Sequence, residues 1–313
     1  MTNEDSVLKF VQFLHPGREY ILTNDEISAG EKEWNYGAHF RKFIKSKGRY
    51  MKDGQEIDAD ELLFWGEWEP ESIVEKRCSN TGWIHKPILR LSPNGDFNAP
   101  PTKLLRGKIE NRRNTDPFVF GDDGFLYTLC RQVNKKGHRT KMSYLAKGSI
   151  IVFGSNVNKR QNFAVDTVFV VQDYKEYDAG TDETPLDGFV PHLYKELMGM
   201  HIGECCGKLR CYKGATPHNP INGMYSFSPC KLSKSTKENT FFERPILTAS
   251  DMRSLHLSVQ PSKPLIADRM NTNFKSTANL TIDDMKNIWD RLCGILLKED
   301  FLAGTHFEYE LIK

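Results

Sequence analysis

Two apolar runs, SIIVF at 149–153 and AVDTVFVV at 164–171, constrain this chain more than any other feature. Both are dense in Val, Ile and Phe, too short for a helix, and almost free of polar alternation. Side chains of that kind fit a pleated surface covered on both faces, so two buried strands are expected. Further strand candidates are residues 61–68 (ELLFWGEW), cut off by Gly66, and 83–91 (WIHKPILRL), interrupted by Pro87. Residues 118–130 (FVFGDDGFLYTLC) suggest a hairpin turning at 122–124. Helical pattern is scarce: residues 40–47, the first dozen residues, and one clear amphipathic segment near the C-terminus. There Thr281 caps, and Met285, Ile288, Trp289, Leu292 and Leu296 recur at helical spacing. The expected fold is mixed, β-rich α/β: a central sheet with flanking helices and a smaller C-terminal α/β unit.

A chain of 313 residues has room for one large domain or two ordinary ones. The clearest shift in composition is 173–187, DYKEYDAGTDETPLD, where six acids face one Lys among Gly and Pro. It reads as an exposed loop or linker. The expected division is a nucleic-acid-binding and catalytic unit at 1–172, an acidic linker at 173–189, and an accessory unit at 190–313.

Net charge is only +2, but the charge is unevenly spread. Residues 36–52 hold six Lys and Arg with no acid, and residues 125–165 hold eight, again with no acid. Such stretches suit a phosphate-bearing partner, or else solvated loops whose counter-charges come from elsewhere. Seven irregularly spaced cysteines favour reduced thiols in a cytosol. No run approaches the ~18 apolar residues of a membrane span, and the first residues carry acids where a leader needs bases. A cytoplasmic protein with no membrane partner is expected.

Three segments could carry chemistry. In residues 62–72 (LLFWGEWEPES) a strand ends at Gly66, and Glu67 and Glu69 follow with Trp68 between them. Loops at strand ends are exposed yet rigidly held, so these groups could stack a planar ring and orient a water, or form a solvated turn. In residues 114–121 (NTDPFVFG), Asn114 offers a donor and an acceptor for a base edge, Pro117 restricts Asp116, and Phe118 could face a pocket; ordinary turn chemistry is the alternative. In residues 34–50 aromatics, Tyr36 among them, interleave with Arg41, Lys42, Lys45 and Arg49, as stacking plus phosphate contact would need, or as a basic amphipathic helix would show. Cys205, Cys206, Cys211, His218 and Cys230 lack zinc-knuckle spacing, and no phosphate-binding or dinucleotide glycine motif occurs. No metal and no cofactor is expected.

The strand-and-turn segment at 62–70 (LLFWGEWEP) and SIIVFGSN at 149–156 resemble motifs of the uracil-DNA glycosylase superfamily. There a strand leads into a Gly-containing turn whose acid or amide sits over the flipped nucleotide; Gly66-Glu67 corresponds to that turn and Gly154-Ser155 to the end of the later strand. The His-Pro-Ser loop of that superfamily has no downstream counterpart, since His15-Pro16-Gly17 lies upstream. The chain is also similar to antiphage glycosylases that remove hypermodified cytosine from viral DNA. The resemblance implies a hydrolase that flips a modified base out of DNA, phage DNA included, and cleaves the N-glycosidic bond in antiviral defence. Glu67 or Asp116 would stabilise the oxocarbenium-like sugar and orient water. Trp68, Phe118, Tyr36, Asn114 and Glu69 would hold the base, and Arg41, Lys42, Lys45 and Arg49 the DNA backbone. Two other readings remain open: a non-enzymatic reader of modified bases on a small PUA-type barrel, and a nuclease whose acids gather a divalent ion.

Overall fold

A computed structural model describes residues 6–14, 30–32, 41–76, 83–91, 115–122, 124–134, 136–157, 162–179, 182, 184–192, 194–195, 207–233, 244–255 and 280–312. The fold is β-rich mixed α/β, and it holds two sheets instead of one central sheet. In the first, strand β1 (Phe10–Leu14) pairs with β8 (Ile150–Val157), β8 with β9 (Asn162–Ala179), β9 with β10 (Gly207–Gly214), and β10 with β7 (Leu126–Tyr127). A short β12 (Ile246–Thr248) also joins β9.

Period-two alternation sorts this sheet's side chains cleanly. Val11, Phe13, Ile151, Phe153, Phe169 and Val171 enter the core between the sheets. Phe10, Ile150, Val152, Val168 and Val170 enter a second core on the opposite face, under helices α1 (Ala249–Ser254) and α2 (Ile282–Leu296). Both faces are buried, which is why these strands read as unbroken apolar runs. The α2 residues expected to face inward are all buried, and Thr281 and Asp284 form a reciprocal capping box.

The second sheet runs β13 (Leu302–Phe307), β11 (Ser228–Leu232), β4 (Gln55–Gly66), β3 (Lys42–Lys52), β6 (Trp83–Arg90), β5 (Ser72–Lys76), β2 (Gly30–Lys32), with β14 (Glu310–Ile312) added on β6. Strand β13 pairs with β11 on one side and β3 on the other. Since β3 pairs with β4 and β4 with β11, these four strands form a closed circuit.

Three expectations need correction. Residues 40–47 do not begin a helix: from Lys42 they are strand, with Phe43 and Ile44 in different cores, as alternation requires. Likewise β1 occupies part of the first dozen residues. The acidic segment is not a linker between separate units, because its first residues complete β9 and Leu186 is buried in the core between the sheets. Strands from beyond residue 189 join both sheets: β10 and β12 the first, β11, β13 and β14 the second. Among the described residues, no helix is long and apolar enough to cross a membrane.

Candidate functional site

The end of β4 leads into the interior. Glu67 and Glu69 are 6% and 1% exposed, and Trp68 between them is fully buried. Around them sit Arg41, Lys42, His85, Asp166 and Arg244, none more than 6% exposed. Asp166 holds both guanidiniums: one carboxylate oxygen accepts from Arg41 Nε, the other from Arg244 Nη1 at 2.6 Å. Arg41 also donates to the Gly154 carbonyl at 3.4 Å. The Lys42 ammonium donates to the Trp68 carbonyl. Burial pushes Lys42 down from the usual lysine range, opposed by the charges of Glu69 and Glu67. Burial, with Lys42 adding, holds His85 well below the usual histidine range.

A cavity of about 10 Å³, bounded by Arg41, Gly66, Glu67, Pro117, Val119, Phe153, Asp166 and Thr167, lies beside Glu67. That is room for about one water molecule. Segments 67–69 and 115–117 adjoin, with the Glu69 amide donating to Thr115 Oγ1 at 3.1 Å. The structure therefore brings Glu67 and Asp116 into one neighbourhood, but Asp116 serves the fold. Its carboxylate is fully buried and accepts from the backbone amides of Thr128 (3.0 Å), Leu129 (2.9 Å) and Cys130 (2.7 Å). Replacing Asp116 with Ala is expected to lower folding stability by roughly 2–4 kcal/mol by orphaning those amides, measured by urea unfolding. A loss below about 0.5 kcal/mol would contradict this role.

The other expected site residues divide similarly. Trp68 packs edge-on to Phe120 at 4.7 Å, and Phe118 edge-on to Phe120 and Tyr194, so neither offers an open face to a base. Arg41 and Lys42 are buried. Lys45 pairs with Glu61 (3.4 Å) and Glu75 (3.0 Å), and Arg49 with Glu56 (3.2 Å) and Asp122 (3.4 Å). Within the basic stretch at 36–52, Lys45 and Arg49 thus find their counter-charges on neighbouring strands and at Asp122. Asn114, Tyr36, Cys205 and Cys206 lie outside the described residues, while Cys211 and Cys230 are buried free thiols. Among the described residues, no three His, Cys, Asp or Glu are grouped to hold a metal ion, so the nuclease reading gains no geometry there.

A larger recess lies mostly among residues that the sequence did not mark. A recess of about 450 Å³ is bounded by Lys45, Ser46, Lys47, Asp60, Glu61, Lys86, Pro87, Glu308, Tyr309 and Glu310. The Tyr309 ring lies near-parallel to Trp68, with centroids 5.9 Å apart, so Trp68 backs the pocket's aromatic wall. Lys86 pairs with Glu75 outside the pocket, whereas exposed Lys47 forms no ion pair among the described residues. Asp166 could have been found from sequence, as the one acid inside an apolar run, where a charge must be paired. Tyr309, Lys47 and Lys86 meet only through strand pairing, and nothing local marks them. Comparison with protein-family models, with curated proteins and with solved structures finds no match.

Proposed function

We propose that this protein binds nucleic acid and reads a nucleobase in the Tyr309 pocket on the wall of its closed four-stranded circuit, in the manner of a PUA-type reader of modified bases. The pocket carries this reading. Its volume lies in the range of small-ligand sites, it has an aromatic wall, and polar groups surround it. Tyr309 would stack the base. Asp60, Glu61, Glu308 or Glu310 would accept from exocyclic amino groups, which favours cytosine- or adenine-like bases over thymine. Lys47 is placed to meet a phosphate.

Tyr309→Ala is expected to weaken binding of a modified-cytosine oligonucleotide about tenfold or more, the usual worth of one stacked base. Fluorescence anisotropy with plain and modified DNA and RNA checks it. Equal affinity of the variant and the parent would remove the pocket from the reading.

A second reading, a DNA glycosylase-like hydrolase that excises a modified base in antiviral defence, is favoured by Glu67. That carboxylate borders a one-water cavity next to Asp166 and Arg41, an arrangement suited to orienting water against a sugar cation. It requires the target nucleotide to leave the stack and the Glu67 region to open to it. The two readings separate in one assay: incubation with modified DNA, then abasic-site detection with and without EDTA. A hydrolase gives EDTA-resistant abasic sites, abolished by Glu67→Gln with binding retained. A reader gives binding alone.

A further inference from the structure

The second basic stretch, residues 125–165, behaves differently from the first once its ion pairs are subtracted. Lys135, Lys159 and Arg160 lie outside the described residues. Arg139 is bound by Glu176 at 3.0 Å and Lys147 by Asp173 at 3.0 Å, so the acidic end of β9 neutralises these two. Arg131, Lys136 and Lys141 remain, all exposed, and none forms an ion pair among the described residues. Lys141 opens a single 3-10 turn, and just before it Arg131 and Lys136 stand on one hairpin, closed by the Val133–Arg139 bridge and by the Asn134 amide donating to the His138 carbonyl at 2.9 Å. Exposed His138 lies at its tip, and Lys9 adjoins its base; burial and the neighbouring Lys141 charge push Lys9 below the usual lysine range.

The hairpin is rigidly founded. The Asp116 carboxylate fixes residues 128–130 immediately before it. The Gln132 amide donates to the carbonyls of Thr128 (2.6 Å) and Arg210 (2.5 Å) and accepts from the Arg210 amide (2.9 Å). Thr140 Oγ1 donates to the Arg131 carbonyl at 2.6 Å, and Asn134 Oδ1 accepts from the amides of Lys136 and His138. Arg131 itself is held at φ 61°, a conformation few non-glycine residues adopt. Uncompensated like charges on a preorganised scaffold suit a polyanion, because little ordering cost is left for binding.

We infer that the hairpin carrying Arg131 and Lys136, with Lys141 beside it, is the surface that docks the sugar–phosphate backbone of nucleic acid, in place of the ion-paired β3 cations Lys45 and Arg49. The inference rests on the nucleic-acid reading above and assigns its phosphate contacts. A nucleic acid is favoured over an anionic membrane because the hairpin presents no large apolar side chain: the exposed large hydrophobic among the described residues is Leu311, on β14. Surface binding to a bilayer needs apolar groups to insert.

The test is a salt series of anisotropy titrations on a plain duplex, comparing the parent chain, the triple variant Arg131→Ala/Lys136→Ala/Lys141→Ala, and Arg49→Ala. The three replaced side chains are exposed, and an unchanged thermal midpoint verifies that the variant folds. Each lost phosphate contact removes about 0.9 from the slope of log affinity against log salt, so the triple variant should be shallower by about 2 to 3. Arg49→Ala, already paired with acids, should keep the parent slope. A triple variant with the parent slope would overturn the hairpin assignment and leave the nucleic-acid reading standing. A parent chain that binds neither plain nor modified DNA or RNA would overturn both. Binding to phosphatidylserine vesicles, lost in the triple variant and without nucleic-acid binding, would assign the hairpin to a membrane and overturn the inference.

Discussion

Replacing Asp166 with Asn is expected to lower folding stability by about 3–5 kcal/mol, the usual cost of removing one partner from a buried ion pair. Asn keeps the shape of the side chain and some of its hydrogen bonding, so the change isolates the charge. Asp166 holds Arg41 and Arg244 together, and both guanidiniums are nearly inaccessible to water, at 1% and 4% exposure. Neutralising the shared carboxylate removes the anion that offsets the repulsion between these two cations, in surroundings that screen poorly. Urea unfolding followed by tryptophan fluorescence measures the change. A loss under about 1 kcal/mol would mean that the triad is not an energetic unit. Because the cluster also contains Glu67, the substitution bears on the hydrolase reading. Under that reading, Asp166→Asn should impair abasic-site formation even below its unfolding transition.

Gly48→Ala is expected to be comparably damaging for a steric reason. A methyl group at Gly48 would stand 2.1 Å from the His306 carbonyl oxygen and 3.1 Å from its carbon. Both are backbone atoms of β13, so no side chain can swing aside. Gly48 pairs with Phe307 where β13 closes on β3, beside an irregularity in the β3–β4 register between Ser46 and Gly48. Accommodation means forcing the closing seam apart, at about 3 kcal/mol or more. The expected signature is local as well as global: faster hydrogen exchange at 302–307 and a lower thermal midpoint, with α2 unaffected until global unfolding. Parent-like exchange in β13 would show that the close approach is not maintained in solution.

What the chain reveals by itself, and what it hides, follow from the distance over which each feature is decided. Residues 149–153 and 164–171 are recognisable as strands because burial on both faces leaves an unbroken apolar run in the local sequence. The α2 helix is legible because Thr281, Asp284 and the Met285–Leu296 spacing all lie within five turns of one another. Charge compensation is not local. Lys45 is neutralised by Glu61 and Glu75, and Arg139 by Glu176, so the sequence could not show which cations of the two acid-free stretches are paired and which, such as Arg131 and Lys136, are not. Trp68 and Phe118 sit among polar residues in sequence and so resembled pocket walls, yet both ended in the core. Half-buried Tyr309, distant in sequence, forms the aromatic wall of the recess instead. Asp116, expected as a catalytic carboxylate, instead holds a turn through the amides of Thr128, Leu129 and Cys130, a role that local sequence does not separate from catalysis.

The circuit of β3, β4, β11 and β13 has a consequence for how the molecule comes into being. Its first two members are synthesised as a hairpin ending at Gly66, but the strand that joins its two ends is Leu302–Phe307. The hairpin edges that β11 and β13 cover therefore find their partners only once residues 228–232 and 302–307 have been made. The circuit closes through pairings distant in sequence, a condition that favours slow folding of this sheet.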